Sequence, residues 1–163
     1  MITIRTATEA DMPTVWQIET GEMDETKTPH MMQPDEYEGF KTDLLHHAAL
    51  TLVACNEASQ VCGYITCHVA GPYPSMRRQW VAGLAVSKQA QGQGVGRALI
   101  EAVKTAAATQ AVGKISFRVL ASNTAAIGFY EHLGMTQEAH HRREFWLAEQ
   151  WQDEYQYALY VGA

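Results

Sequence analysis

The sequence contains few cysteines, and they follow no disulfide or metal-binding pattern. Among 163 residues there are three, Cys55, Cys62 and Cys67, an odd number without a C-x-x-C pair. All three lie in apolar, strand-like stretches, where a reduced thiol acts as a small hydrophobic group. The histidines occur singly or as HH doublets, without the spacing of zinc ligands. We therefore expect no metal site.

Long apolar runs and an excess of basic residues are also missing. No segment is long and apolar enough to span a bilayer, and Met1–Arg5 leads into an alternating pattern rather than a signal peptide. The formal net charge is −6, which argues against a general nucleic-acid-binding protein because neutralising phosphates requires a basic surface. We expect a soluble cytoplasmic protein with neither membrane nor nucleic-acid partners.

The sequence does contain enough apolar material for an ordinary globular core. Hydrophobic residues make up 47% and charged residues 18% of the chain, and its length fits one domain over residues 1–163. An acidic surface is compatible with a cationic substrate such as an amine. It is equally compatible with plain solubility, which is the simpler explanation.

The spacing of apolar residues predicts alternating strands and helices. Strands are expected over residues 2–6, 50–56, 61–70, 79–87 and 114–121, with two more between 135 and 161 joined near Ala148–Gln150. Helices are expected after a near capping box at Thr8 and Asp11, from Pro34, from Val95 until Gly113 ends it, and over 123–133 until Gly134. Residues 21–33 read as a loop.

The connection between residues 79–87 and 114–121 determines the type of sheet. A helix joins these two strands, so they form a locally parallel pair. The other connections are short and favour antiparallel neighbours. The sequence therefore predicts a mixed α/β fold, with a largely antiparallel central sheet of about seven strands flanked by about four helices.

A glycine-rich loop precedes the clearest amphipathic helix. Its sequence is Gln91-Gly92-Gln93-Gly94-Val95-Gly96. A strand, a glycine-rich turn and a helix gather unpaired backbone N–H groups, and the helix dipole favours an anion there. Glycine allows a positive φ and a close backbone approach where either is needed. The loop therefore predicts a site for a phosphorylated ligand.

Two common phosphate-binding loops do not fit this sequence. A Walker A loop requires Lys and then Ser or Thr after its last glycine, whereas Arg97-Ala98 follows Gly96. A dinucleotide-binding fingerprint requires its third glycine where Arg97 stands. A third pattern, Gln/Arg-x-x-Gly-x-Gly/Ala, is filled in register by Gln91, Gly94 and Gly96.

With this pattern, most of the chain resembles the GCN5-related N-acetyltransferase (GNAT) family. The resemblance implies that the loop binds the pyrophosphate of acetyl-coenzyme A and that the preceding strand presents backbone groups to the pantetheine arm. The residues implied for the cofactor in these two segments are Leu84, Ala85, Val86, Gln91, Gly92, Gln93, Gly94, Val95, Gly96 and Arg97. The alternative is a glycine loop that only makes a tight strand-to-helix turn.

The segment from Asn123 to Met135 resembles the second signature of the family: Asn, Ala, Tyr, then Gly and an apolar residue. The resemblance adds Asn123, Ala126 and Tyr130 to the cofactor site, although Asn123 is also a good helix N-cap. Asn123 and Tyr130 are two turns apart and share a helix face. The resemblance also implies that Tyr130 protonates the leaving thiolate, which suits a phenol with an ordinary pKa of about 10. The alternative is a packed core aromatic.

The acceptor side is less determined. Some family members use a glutamate on the strand before the loop, but residues 79–86 contain no carboxylate, so no base is assigned. The acidic residues Glu19, Glu22 and Asp24 lie in or near the segment that lines the acceptor site in this family, and such a cluster would attract a cationic amine. A solvated loop explains them equally well. His68 is either another candidate base or a packed residue.

The sequence therefore predicts direct transfer of an acetyl group from acetyl-coenzyme A to an amine of a small molecule, such as an amino acid, a polyamine or a drug-like amine. One alternative is acetylation of a protein N-terminus or lysine, which requires that residues 21–33 leave a groove open. Another is a coenzyme A-binding module without catalysis. The aromatic residues of the C-terminal hairpin either line the acceptor pocket, pack in the core or form a dimer contact. The resemblance also implies a possible homodimer.

Overall fold

The computed structural model describes residues 1–21 and 23–162. Seven strands and four α-helices follow one another in the predicted order: β1 (Thr3–Thr6), α1 (Met12–Gly21), α2 (Tyr37–Thr42), β2 (Leu50–Cys55), β3 (Val61–Val69), β4 (Gln79–Val86), α3 (Val95–Thr109), β5 (Lys114–Leu120), α4 (Thr124–His132), β6 (Thr136–Leu147) and β7 (Gln150–Tyr160). A 3-10 turn at Pro34–Glu36 leads into α2, and a π-helical turn at Asp43–His47 ends it.

The strands form one mixed sheet in the order β1-β2-β3-β4-β5-β7-β6. Only the β4–β5 pair is parallel, and its register runs from Gln79 opposite Lys114 to Ala82 opposite Phe117. The other five neighbouring pairs are antiparallel. The predicted mixed α/β fold, including its single parallel pair, is confirmed.

Two apolar clusters hold the helices on opposite faces of the sheet. Alternate side chains of a strand point to opposite faces, so Ile65 of β3 packs with α3 and α4 whereas Tyr64 packs with α1 and α2. The larger cluster contains Leu99 and Val103 of α3, which are fully buried. The smaller cluster contains Val15 of α1. The sheet is thus covered on both sides.

The starts of α1 and α4 follow the capping residues in the sequence. Before α1, the Asp11 carboxylate accepts a hydrogen bond from the Thr8 backbone N–H at 2.8 Å, so the predicted capping box is present. The Asn123 side-chain oxygen accepts one from the Ala126 N–H at 3.2 Å. At the other end of α4, Gly134 has a φ of +77°, as expected of a helix stop.

The predicted end of α3 at Gly113 is wrong. The helix ends at Thr109, and Ala111 takes the left-handed conformation with a φ of +57°. The Val112 N–H donates to the Ala107 carbonyl at 2.9 Å, as in a Schellman motif. Val112 and Ala107 are both buried in the larger cluster, and this apolar contact stabilises an ending that has no glycine.

Candidate active site

The sheet opens into a notch where β4 and β5 diverge. Their ladder stops at Ala82 and Phe117, but β4 continues beside β3 as far as Val86 and β5 continues beside β7 as far as Leu120. Backbone groups of a strand alternate between its two neighbours. Some N–H and C=O groups of Gly83–Val86 therefore face the notch without a strand partner, which suits an extended polar ligand.

The glycine loop follows β4 and leads into α3, and it leaves backbone N–H groups open. Gly92 and Gly94 have φ values of +77° and +83°, and a Cβ on either would meet no atom within 4 Å. The first bond within α3 runs from the Ala98 N–H to the Gly94 carbonyl, so the N–H groups of residues 95–97 have no intrahelical acceptor. Arg97 is exposed in this first turn. The open backbone surface fits a pyrophosphate.

Glycine is needed at position 96 for a different structural reason than at positions 92 and 94. Gly96 lies buried in α3, and a Cβ there would come within 2.8 Å of the Phe129 ring on α4. Its lack of a side chain allows α3 and α4 to approach each other closely. In this position glycine serves helix packing.

The glutamine side chains of the loop bond to the chain itself. Gln91 donates from Nε2 to the Val86 carbonyl at 3.3 Å, and Gln93 donates from Nε2 to the Gln89 carbonyl at 3.0 Å. These bonds connect the loop to the end of β4 and to the turn that follows it. The backbone N–H groups, rather than these amides, remain available for a ligand.

A cavity of about 370 Å³ adjoins the notch. Four residues predicted for the cofactor line it, namely Leu84, Asn123, Ala126 and Tyr130, together with Glu19 from the predicted acceptor side. Ala85 instead packs toward α1 and α2, and Val86 toward α3. The cavity therefore joins the two halves of the predicted site across the sheet.

Tyr130 is both a core aromatic and a polar group at this cavity. Its side chain is 7% exposed, and its ring lies 5.1 Å from that of Phe117 and 5.8 Å from that of Tyr157. Within residues 1–21 and 23–162 its hydroxyl has no hydrogen-bond partner. Burial raises the pKa of the phenol above its ordinary value, so it holds its proton at neutral pH.

Glu19 places a carboxylate in the same cavity. It lies in α1, is partly buried, and accepts a hydrogen bond from the Tyr64 hydroxyl. Burial raises the pKa of Glu19, and the bond from Tyr64 opposes that rise. Asp43 also lines the cavity, but its carboxylate already pairs with His68 Nε2 at 2.9 Å. His68 itself does not line the cavity.

Of the remaining acidic candidates, Asp24 does not line the cavity. Glu22 lies outside the described residues. Asp24 is exposed, and its Oδ1 accepts hydrogen bonds from the backbone N–H and the hydroxyl of Thr26 at 2.8 and 2.5 Å. These bonds lower the pKa of Asp24. Its carboxylate serves the local turn.

The loop after α1 covers one side of the cavity. Met23, Lys27 and Thr28 contribute to the lining, and the Thr26 carbonyl accepts a hydrogen bond from the Ser122 hydroxyl at 2.9 Å. This bond joins the loop to the turn between β5 and α4. The acceptor side is thus bounded by the chain rather than open along that edge.

Sequence reasoning did not assign six polar residues of this cavity to the site, namely Lys27, Thr28, Asp43, Tyr64, Thr66 and Arg118. Arg118 did carry a signal, because it is a charge within the otherwise apolar end of β5, between Phe117 and Val119. Tyr64 carried none, since an aromatic residue in a strand usually belongs to the core. Its hydroxyl matters only because α1 brings Glu19 to it.

A second cavity, of about 950 Å³, lies between α1, the β2–β3 turn and the segment after β4. Of the predicted site residues it contains only Gln93 and Val95. Its charged pair, Arg5 and Asp11, is already joined by two hydrogen bonds of 2.7 and 2.8 Å. The candidate active site is therefore the smaller of the two cavities.

The aromatic residues of the β6–β7 hairpin divide into two groups. Tyr157 is fully buried beside Tyr130, as the core-packing alternative requires. Trp146 and Trp151 form an edge-to-face pair 5.3 Å apart and are 60% and 52% exposed. Neither tryptophan lines the candidate site.

Among the described residues no helix is long and apolar enough to cross a membrane.

Comparison with known proteins identifies the family. Three solved structures share the fold. The structure of smu.2055 from Streptococcus mutans UA159 has a TM-score of 0.88 and 24% identity, and the match covers 98% of this chain and 99% of that chain. A GNAT superfamily phosphinothricin acetyltransferase from Sinorhizobium meliloti, in complex with AcCoA, has a TM-score of 0.85 and 17% identity, with 99% of this chain and 89% of that chain covered; the ribosomal-protein-S18-alanine N-acetyltransferase from Escherichia coli has a TM-score of 0.77 and 22% identity, with 100% and 96% covered. No curated protein matches the sequence significantly. Residues 12–135 match the model of the acetyltransferase (GNAT) family. The chain therefore belongs to the GNAT family of acetyltransferases, whose acetyl donor is acetyl-coenzyme A.

Proposed function

We propose that this acetyltransferase moves the acetyl group directly from acetyl-coenzyme A to an amine of a small molecule. The observation that carries the proposal is that the Tyr130 and Glu19 side chains line the same cavity beside the β4–β5 notch. One group can give a proton and the other can take one. Transfer from a thioester to an ammonium removes two protons from the nitrogen and gives one to the leaving thiolate, so a base and an acid in the site assist the reaction and one proton passes to solvent.

The donor would be held by backbone groups. The N–H groups of residues 92–97 would bind the pyrophosphate, and the unpaired edge of Gly83–Val86 would bind the pantetheine arm. Acetyl-coenzyme A supplies an activated thioester. The N–H groups that face the notch would also polarise the thioester carbonyl and stabilise the negative charge that develops on its oxygen.

Glu19 would bind the acceptor ammonium and remove its proton. An ammonium has no lone pair with which to attack, so it must first be deprotonated. Burial raises the pKa of Glu19, which makes it a stronger base than an exposed carboxylate. Because β4 has no carboxylate, this position on α1 replaces the strand glutamate used by other family members.

Tyr130 would donate a proton to the departing thiolate. Its hydroxyl is not engaged by any described residue and lines the cavity, and its raised pKa keeps it protonated until the thiolate forms. Packing against Phe117 and Tyr157 fixes the ring. A fixed donor beside the leaving group lowers the barrier without a large reorganisation.

A covalent acetyl-enzyme has no support from the cysteines. Cys55, Cys62 and Cys67 are all buried. Burial raises the pKa of Cys62 and raises that of Cys67 to about 12, so these thiols stay protonated, whereas the nucleophile would have to be a thiolate.

The small-molecule acceptor is favoured over a peptide by the loop after α1. The bond from Ser122 to the Thr26 carbonyl joins this loop, which lines the cavity, to the turn before α4, and this connection would restrict the space for an extended peptide. A silent coenzyme A-binding module is disfavoured because a phenol and a carboxylate suited to proton transfer line the same cavity. The resemblance to an enzyme that acetylates a ribosomal protein keeps the peptide alternative worth testing.

The decisive experiment measures coenzyme A release from acetyl-coenzyme A with a panel of small amines and with peptides that carry the same free amines. We expect kcat/KM for the best small amine to exceed that of its peptide by at least about tenfold. Efficient turnover of peptides with none of the small amines would overturn the acceptor assignment. Binding of acetyl-coenzyme A without turnover of either class would favour the silent module.

A further inference from the structure

The candidate active site is lined by two cationic side chains, Lys27 and Arg118, as well as by carboxylates. Arg118 lines the cavity together with Glu19. It is the first residue of β5 beyond the β4–β5 ladder, which ends at Phe117. The divergence of the two strands therefore gives its side chain access to the notch, whereas the preceding residues of β5 lie between two neighbouring strands.

The guanidinium of Arg118 has no direct polar partner among the described residues. Within the described part of the chain its side chain forms neither a hydrogen bond nor an ion pair. Its charge acts at longer range on Glu154, a buried carboxylate on β7 whose pKa is raised by burial and lowered in part by Arg118, and no ion-pair contact of 4 Å or less joins the two. By contrast, Arg5 is bound through two nitrogens to Asp11. Arg118 is thus available to a ligand.

A guanidinium in this position selects for an oxyanion. Its planar fork can donate two parallel hydrogen bonds to one carboxylate, which gives orientation as well as attraction. The opposite charge of Glu19 suits an ammonium in the same cavity. Phe40, Leu44 and Val119 supply apolar wall between these polar groups, so an apolar body can be buried there.

We propose that the acceptor is an amine that also carries a carboxylate or a similar oxyanion, such as an amino acid, and that Arg118 binds this anionic group. The inference rests on the proposed function and narrows it to one substrate class. With the anion on Arg118, the amine is directed toward Glu19 and the thioester. Polyamines and simple alkylamines lack the group that Arg118 recognises and are poorer acceptors.

The test compares matched acceptors that differ only in the anionic group. Methionine is paired with 3-(methylthio)propylamine, and phenylalanine is paired with phenethylamine. The enzymes are the wild type, Arg118→Gln, Arg118→Lys and Arg77→Gln, the last removing an exposed arginine outside the cavity. Thermal unfolding of each variant verifies that the fold is intact.

We expect Arg118→Gln to lower kcat/KM for the preferred amino acid by at least about 30-fold while leaving the decarboxylated amine unchanged. Arg118→Lys keeps the charge but loses the bidentate contact, so its kcat/KM for the amino acid should lie between those of the wild type and Arg118→Gln. Arg77→Gln behaves as wild type. Equal losses for both members of a pair would overturn the inference, because they would show a structural effect.

The inference and the proposed function fail in different ways. If wild-type enzyme turns over decarboxylated amines as efficiently as amino acids, the role of Arg118 is wrong and small-molecule acetylation stands. If no small amine of either kind is turned over while peptides are, the proposed function itself is wrong. Preference for an anionic acceptor that disappears in Arg118→Gln supports both.

Discussion

Tyr130 and Glu19 hold their functional groups at the boundary between core and cavity. The Tyr130 ring is fixed by Phe117 and Tyr157, and its hydroxyl is left for a ligand. The Glu19 carboxylate is held by the Tyr64 hydroxyl and partly removed from water. In both, burial favours the neutral form and raises the pKa. The phenol therefore keeps its proton at neutral pH, and the Glu19 carboxylate is a stronger base than an exposed one.

Replacing Tyr130 with phenylalanine tests the acid directly. We expect kcat to fall by about 100-fold, the range of a lost general acid, with unchanged affinity for acetyl-coenzyme A. Stability should be maintained, because the hydroxyl has no partner among the described residues while the ring keeps its contacts. Steady-state kinetics, calorimetric titration and thermal unfolding measure the three quantities. Equal kcat in the variant would dismiss the acid role.

Replacing Glu19 with glutamine tests the base and has a signed pH dependence. Wild-type kcat/KM should rise with pH as Glu19 loses its proton. Because the pKa of Glu19 is raised, this rise should occur at higher pH than the titration of an ordinary carboxylate. The variant should lose this rise and at least about 100-fold in kcat/KM. Glu101→Gln, an exposed control on α3, should keep the wild-type profile.

Stability separates this role of Glu19 from a structural one. A carboxylate whose folded pKa is raised destabilises the fold at pH values above its unfolded pKa, because the charged form is disfavoured by burial. Glutamine can still accept the Tyr64 bond and removes the charge. The free energy of unfolding of Glu19→Gln at pH 7 should therefore not decrease. A large decrease would indicate that the ionised carboxylate serves the fold.

At the scale of the elements, the junction of β1 and α1 depends on Asp11. Two hydrogen bonds from Arg5 and one from the Thr8 N–H hold its carboxylate, and the Arg5 bond is the largest cause that lowers its pKa to about 2. Because the folded pKa is depressed, this stability is present above about pH 4 and is lost as pH falls through about 2.

We expect Asp11→Asn to lower the free energy of unfolding at pH 7 by about 2 kcal/mol, as measured by urea titration. The difference from wild type should shrink toward pH 2. Asp35→Asn, at an exposed carboxylate before α2, should change stability by less than about 0.5 kcal/mol. A pH-independent loss at Asp11 would argue against the ion pair as its cause.

The glycine loop before α3 makes a second prediction at this scale. Gly94→Glu combines backbone strain at a φ of +83° with a negative charge at the anion site, and should weaken acetyl-coenzyme A binding by at least about 30-fold. Gly134→Glu carries similar strain at a φ of +77°, also in open space, but at the end of α4. The control should lose comparable stability and retain acetyl-coenzyme A affinity in calorimetric titration. Unchanged affinity in Gly94→Glu would remove the loop from the cofactor site.

Periodicity and capping residues sufficed to predict most elements, and contacts distant in sequence explain the exceptions. The start of α1 and the cap of α4 depend on neighbours within three residues, so they were predictable. The end of α3 was not, because burial of Val112 allows Ala111 to take a conformation usually left to glycine. The buried place of Gly96 likewise depends on Phe129, more than 30 positions away.

At the scale of the whole molecule, the site follows from one parallel pair in an otherwise antiparallel sheet. Where β4 and β5 separate, a notch connects the helix faces and exposes the end of β5. The glycine loop and Tyr130 could be predicted because each belongs to a local pattern. Arg118, Tyr64 and the closure by Ser122 could not, because they depend on which segments the sheet brings together.

The most direct test of direct transfer to a small amine follows the label from [1-13C]acetyl-coenzyme A. The enzyme is incubated with labelled donor, a mixture of small amines and a peptide, and the acetyl carbon is located by NMR and mass spectrometry. We predict label in the amide of a small molecule, with no label on the protein in the absence of acceptor. Label on a cysteine of the enzyme, or only on the peptide, would contradict the account.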